Sequence, residues 1–301
     1  MDLALTVNGW LDEDIIFAQQ LGVNQVLAQV DLYQVASPEW DPHSLAGLHN
    51  RIEKARMNLV GISATIPSRK RGVPGLKKAE VLSLVCRLIE TAGTAGIRLV
   101  RPPTWLFQFP TFGSGSEKLN RLDPAWKKLT TALQHLAEKA TRTGVKLAIP
   151  ADHPITDLLT PGNQEKGNQG MLLDLLESLE NPFMGLDVTP DLLLNFLQEL
   201  PSTGLNSSAG NRQQPPWDKV FLVTLENQEV NGSIPVKARL DSGAVDLIAL
   251  CWRLKQAGYA GLVRLGEQPH WPGDSQAGHR AQSFGAGYLK AVLEAVQKEA
   301  G

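Results

Sequence analysis

One pattern recurs along the chain and leaves few folds open to it: a short apolar segment, a polar turn, then an amphipathic helical stretch. The apolar segments are LALTVN (3–8), QVLAQV (25–30), NLVGIS (58–63), IRLVRP (97–102), VKLAIP (145–150), FMGLDV (183–188), KVFLVTL (219–225) and GLVRLG (261–266). Eight strand-helix units of roughly 30–40 residues are the arithmetic of a (β/α)8 barrel. Strands this short and continuously apolar suit a parallel sheet covered by helices on its outer face. The expected fold is therefore α/β, a single (β/α)8 TIM barrel spanning residues 1–301. An open doubly wound sheet is the alternative, but no Gly-rich dinucleotide turn follows the first strand. The Gly285-Ala286-Gly287 run follows no strand directly and reads as close helix packing.

Helix boundaries carry their own signals. Asp12, Glu13 and Asp14 suit the positive end of a first helix, and Gly22 closes it. Asp123-Pro124 opens a long helix with leucine and alanine at three- and four-residue spacing, and Asp241-Ser242 precedes GAVDLIALCWRLKQAG. The last helix, beginning near Gly285, is expected to pack beside the first and close the ring. Two long loops stand out: residues 106–122, a potential lid on the catalytic face, and residues 200–217, a disordered or family-specific insertion on the other face.

Composition narrows the role. Hydrophobic residues make up 43% and charged residues 20%, enough for one sizeable core. A formal net charge of −2 argues against nucleic-acid or membrane-surface binding, which favour a basic excess. The one basic run, Ser68-Arg69-Lys70-Arg71, is a solvated or anion-contacting turn. No apolar stretch is long enough for a membrane span, and no leader precedes the first strand. Cys86 and Cys251 fall inside helical patterns and read as buried thiols of a reducing compartment, so the expected location is the cytoplasm.

In such barrels chemistry sits where strands end and loops begin. Side chains alternate along a strand, so choosing the polar residues near the strand ends as inward-facing fixes the rest. That choice gives Thr6, Asn8, Gln29, Asp31, Ser63, Thr65, Asp152, Asp187, Thr189, Thr224, Glu226 and Arg264, with Arg101 just after the fourth strand. Hydroxyls, amides, carboxylates and guanidiniums in one mouth suit a small polyhydroxylated acid. A purely structural reading remains beside this one, a buried ion pair between Asp187 and Arg264. Trp10, Trp105 and Trp271 follow strand ends, where an indole can stack on a sugar ring or simply pack.

The C-terminal third carries LDSGAVDLIALCWRLKQAGYAGLVRLGEQP (240–269) and AQSFGAGYLKAVLEAV (281–296). These segments resemble the mannonate dehydratases of the xylose-isomerase-like barrel superfamily. Their shared features are an acidic-Gly-x-x-Asp helix start, a GY-x-G turn into strand eight, an arginine on that strand and a closing FA-x-GY-x-K-x-L helix. NGWLDEDIIFAQQLGV (8–23), GISATIPS (61–68) and KLAIPADHP (146–154) are weaker echoes. The resemblance implies a sugar-acid lyase that eliminates water from mannonate to give a 2-keto-3-deoxy acid. It also implies one divalent metal, usually manganese, held at the ends of strands five to eight.

Carried across by position, that ligand set falls on Pro150, Thr189, Thr224 and Gly266-Glu267, while Arg264 and Pro269 match. Proline offers a metal nothing, and threonine hydroxyls replace imidazole or thiolate poorly. A relocated Mn2+ or Mg2+ site would draw on Asp152, Asp187 and Glu226, with His153 beside them. The expected catalytic residues are Asp187 or Glu226 as base and His153 as acid/base group. Asn8, Trp10, Arg101, Thr224, Arg264, Glu267 and His270 are the expected substrate contacts, with Arg264 taking the carboxylate. The alternatives are a barrel that binds a sugar acid without turning it over, and a metal-independent sugar isomerase or epimerase. A homodimer is the expected assembly, paired through outer helices.

Overall fold

The eight apolar segments close into one parallel ring in a computed structural model, which describes residues 1–66, 75–107, 124–151, 180–198, 217–231, 234–275 and 278–298. The barrel strands are β1 (Asp2–Val7), β2 (Gln25–Asp31), β3 (Asn58–Thr65), β4 (Leu99–Arg101), β5 (Lys146–Ala151), β6 (Met184–Val188), β7 (Val220–Leu225) and β10 (Leu262–Leu265). Each pairs with its neighbour in sequence, and β10 returns to β1. The remaining two strands, β8 (Asn227–Asn231) and β9 (Ile234–Ala238), form an antiparallel hairpin between β7 and the following helix.

Eight α-helices are described: α1 (Asp12–Gln20), α2 (Leu32–Ala36), α3 (Ser44–Lys54), α4 (Lys78–Thr94), α5 (Pro124–Thr143), α6 (Pro190–Gln198), α7 (Leu247–Gln256) and α8 (His279–Lys298). The main core lies between the outward faces of the strands and these helices, and includes Leu5, Val26, Ile62, Val100, Leu147, Leu186, Val223 and Val263. Each such side chain contributes about 1.5–3 kcal/mol by leaving water. The ring closes as the sequence implies: His279 of α8 stacks on Phe17 of α1 at 4.3 Å. Gly285 packs tightly, since a Cβ there would lie 2.9 Å from Leu265 Cδ1.

Two helix starts differ from expectation. α7 begins at Leu247 rather than after Ser242, because Asp246 supplies the cap, accepting the Ala249 N–H at 3.0 Å. α8 begins at His279, six residues before Gly285.

Inside the barrel the register sorts the inward side chains into layers of four from alternate strands, as strand tilt requires. Thr6 pairs with Leu27 and Leu27 with Gly61, so Ser63 lies two residues above Thr6's level. The same two-residue step leads from Ser63 to Pro150, from Pro150 to Thr224 and from Thr224 back to Thr6. The even strands give Leu27, Arg101, Asp187 and Arg264 by the same step. Ala4, Leu99, Ala148 and Leu222 beneath them join Leu27 in a separate apolar floor. The interior is thus oily at the bottom and polar above.

Candidate functional site

Above that floor lies a cavity of about 830 Å3 among the described residues. Thr6, Gln29, Ser63, Thr65, Arg101, Thr224, Glu226 and Arg264 line its lower part. Glu267, Gln268, Pro269, His270 and Lys237 line its rim, with Gly278, Ala281 and Gln282 from the start of α8.

Two guanidiniums meet one carboxylate at the base. Asp187 is fully buried, and the side chains of Arg101 and Arg264 are 11% exposed. Arg101 Nε donates to Asp187 Oδ2 at 2.5 Å, and Thr224 Oγ1 donates to Asp187 Oδ1 at 2.5 Å. Arg264 Nε donates to Thr224 Oγ1 at 3.0 Å, Nη1 to Thr6 Oγ1 at 3.4 Å, and Nη2 stands 3.7 Å from Asp187 Oδ2. A carboxylate taken out of water survives only when its lone pairs are matched, and both Asp187 oxygens are. The Asp187–Arg264 pair expected from sequence is present, yet Arg101 holds the shorter contact.

The structure brings Arg101, Thr224, Arg264, Glu226, Glu267 and His270 around one cavity, with Asp187 directly behind its wall. Glu226 lies just past β7 and is half-buried. Glu267 stands at the rim, where it is 79% exposed and paired with Lys237 Nζ. Asn8 and Trp10 lie elsewhere: Asn8 Oδ1 accepts the Trp10 N–H at 3.3 Å, and Trp10 packs against the outer core. Arg51 pins that turn from α3 by donating to Trp10 O at 3.1 Å, which carries it away from the mouth. Asp31 also leaves the mouth, because it caps α2 through the Tyr33 N–H at 2.8 Å. Burial holds the Asp31 carboxyl above the usual carboxylate range, with the Tyr33 bond working against that shift. Trp105 lies under Lys78 and Trp271 meets Phe284 at a tilt of 47°; no tryptophan is among the described residues lining the cavity.

Asp152 and His153 lie outside the described residues, as do the basic run at 68–71, loop residues 108–122 and loop residues 200–216. Leu106 and Phe107, where the first of those loops begins, are buried.

Lys237 is the rim residue that inspection of the strand pattern misses, because it belongs to the β8–β9 hairpin. A signal existed: the Gly232-Ser233 pair between Asn231 and Ile234 is the Gly-X sequence that two-residue hairpin connections favour. Buried Asn227 anchors the hairpin's base, donating through Nδ2 to Leu240 O at 3.1 Å and Val245 O at 2.8 Å. Its Oδ1 accepts the Gln228 and Val245 N–H groups at 3.0 and 3.1 Å. Asp274 closes the start of α8 similarly, accepting N–H bonds from Ser275 at 2.7 Å and from Arg280 and Ala281 at 3.0 Å. Desolvation pushes the Asp274 carboxyl up, but those bonds and nearby His270 hold it below the usual range.

The described residues do not fit a divalent metal. They contain no cluster of three His, Cys, Asp or Glu side chains suited to one. The positions implied by resemblance hold Pro150 and Thr224 inside the barrel, and Thr189 bonded to Ala151 O at 3.4 Å. Gly266 is pressed against Glu226, and a Cβ there would lie 2.7 Å from Glu226 Cβ. At the base, two guanidiniums would repel a cation.

Solved structures share this fold. The mannonate dehydratase from Streptococcus suis serotype 2 superposes with a TM-score of 0.68 at 16% identity, over 100% of this chain and 96% of that one. The xylose isomerase domain protein from Planctomyces limnophilus gives 0.65 at 15% identity, over 99% and 98%. An L-ribulose 3-epimerase gives 0.60 at 16% identity, over 100% and 97%. No protein-family model and no curated protein matches the sequence.

Proposed function

We propose that the cavity binds a small polyhydroxylated carboxylic acid and that the barrel is a sugar-acid enzyme of the dehydratase or isomerase type. The observation that carries this reading is the pair Arg101 and Arg264, both nearly buried, converging on the single carboxylate of Asp187. Both guanidiniums also line the cavity, and a nearly dry guanidinium makes planar, charge-assisted bonds to a carboxylate. The hydroxyls and amide of Thr6, Gln29, Ser63 and Thr65 supply the paired donors and acceptors that sugar hydroxyls need.

Within this reading Asp187 positions the arginines, since both its oxygens are engaged. Glu226 is then the proton-moving group. A substrate carboxylate at the base adds negative charge beside it and raises its proton affinity, as a general base requires. For dehydration, Glu226 takes the proton from the carbon next to the carboxylate. The neighbouring hydroxyl leaves as water after gaining a proton from an acid such as His270, and the enol formed becomes a 2-keto-3-deoxy acid.

The mannonate dehydratase and epimerase with this fold make sugar chemistry the natural class, and the resemblance at residues 240–296 favours the acid. A second reading, binding without turnover, is favoured by one observation: Pro150, Thr189, Thr224 and Gly266 replace the donors that the resemblance implies.

The test is calorimetric titration with six-carbon aldonates, alongside assay of 2-keto acid formation. Glu226→Gln is expected to keep binding and lose turnover, while Arg264→Lys weakens binding at least about tenfold, because a point charge replaces a planar fork. Turnover unaffected by Glu226→Gln would refute the catalytic assignment. Binding without turnover in the wild type would leave the second reading standing.

A further inference from the structure

We propose that Lys237 and Glu267 form a hydroxyl-reading end to the cavity, which makes it selective for unphosphorylated monocarboxylates with a polyol tail. The inference rests on the preceding reading, in which Arg101 and Arg264 take the carboxylate at the base. It assigns the opposite end of the same ligand.

Both residues line the rim, and their side chains are ion-paired there at 43% and 79% exposure. Such an exposed pair stabilises a fold by little or nothing, so its placement is not explained by stability. Its backbone supports are firm. Lys237 pairs with Gln228 across the hairpin, and the hairpin's base is fixed by the four hydrogen bonds of Asn227. Glu267 follows β10 directly, two residues after Leu265. An ammonium and a carboxylate side by side offer three donors and several acceptor lone pairs, the complement of vicinal hydroxyls.

The same rim is poorly suited to a second anion. Glu267 already neutralises Lys237. The start of α8, where Gly278 just before it and Ala281 within it border the cavity, is occupied by the Asp274 carboxylate through the Arg280 and Ala281 N–H groups. Barrels commonly hold a ligand phosphate near this end of the ring; here the Asp274 carboxylate already holds the Arg280 and Ala281 N–H groups that would bind one, and its charge would repel it.

The experiment measures binding of gluconate, mannonate, galactonate, gluconate 6-phosphate and the three-carbon acid glycerate to the full chain, by calorimetry. The wild type is expected to bind at least one hexonate about tenfold or more tightly than gluconate 6-phosphate. Glu267→Gln should shrink that gap to about threefold by leaving the Lys237 ammonium unneutralised and open to the phosphate. Lys237→Met should weaken the hexonate roughly five- to tenfold and leave glycerate unchanged, since glycerate is too short to reach the rim. Gluconate 6-phosphate binding as well as the hexonates would overturn the inference, as would both variants matching the wild type across the panel. Absence of binding by every acid, or hexonate binding undiminished in Arg264→Lys, would instead overturn the carboxylate reading and this inference with it.

Discussion

Arg101 Nε and Asp187 Oδ2 lie 2.5 Å apart, although β5 stands between their strands and 86 residues separate them in sequence. The contact ties the fourth and sixth units of the ring together through the barrel interior. Replacing Asp187 with asparagine leaves Arg101 and Arg264 without their shared counter-charge in a nearly dry site. Loss of one member of such a network costs about 3–5 kcal/mol. Urea unfolding of Asp187→Asn should show a loss in that range, and a loss under about 1 kcal/mol would mean the arginines are neutralised elsewhere.

Asn227 makes four hydrogen bonds while 2% exposed, so Asn227→Ala strands two N–H groups and two carbonyls. The expected cost is about 2–3 kcal/mol. Hydrogen exchange should quicken at residues 227–231 and 234–238 well before it quickens in the barrel strands. Uniform exchange in both would show that the hairpin is not a separately anchored element.

Glu90 gives a pH signature. Its bond to Lys139 Nζ at 2.5 Å comes first among the causes that hold its carboxyl below the ordinary 4.5, and Arg142 adds to it against a desolvation cost. A carboxyl with a lowered folded pKa stabilises above its unfolded value and loses that contribution as pH falls through the lowered one. Glu90 is 42% exposed, so solvent screening reduces the stabilisation to about 0.5 kcal/mol. Glu90→Gln should therefore melt lower than the wild type at pH 7, with the gap narrowing as the pH falls below the ordinary 4.5 and Glu90 takes up its proton. A gap unchanged across the whole acid range would assign the effect to packing.

Manganese or magnesium is expected to leave the melting temperature unchanged, because the donor set among the described residues suits neither ion. A rise that grows with ion concentration would assign the ligands to Asp152 and His153, joined by Glu226.

Cys251 is fully buried, and burial pushes its thiol up to about 12. At pH 8 it is expected to resist thiol reagents until the chain opens, so its labelling rate should follow the unfolding rate. Rapid labelling of folded protein would contradict this packing.

Most of the ring was legible along the chain. All eight strands lie where the apolar segments run, because an apolar run bounded by turns leaves a short strand little alternative. Alternation within each strand gave the inward faces, and it brought Thr6, Gln29, Ser63, Thr224 and Arg264 to one cavity. These are local rules with a period of two, and neighbouring residues suffice to state them.

What sequence could not say is which residue on one strand stands level with which on another. The tilt of the strands sets that step at two residues for alternate strands, and it puts Arg101, Asp187 and Arg264 in one layer. Asn8, Trp10 and Asp31 left the mouth because backbone turns and a helix cap claimed them, each an interaction formed only once the loop closes. Lys237 reached the rim only because the β8–β9 pairing carries it to the cavity that the strand ends enclose. Sequence alone thus determined the ring and the faces of its strands; tertiary structure decided the charges that meet inside it, because their encounter depends on distances set by closure of the whole barrel.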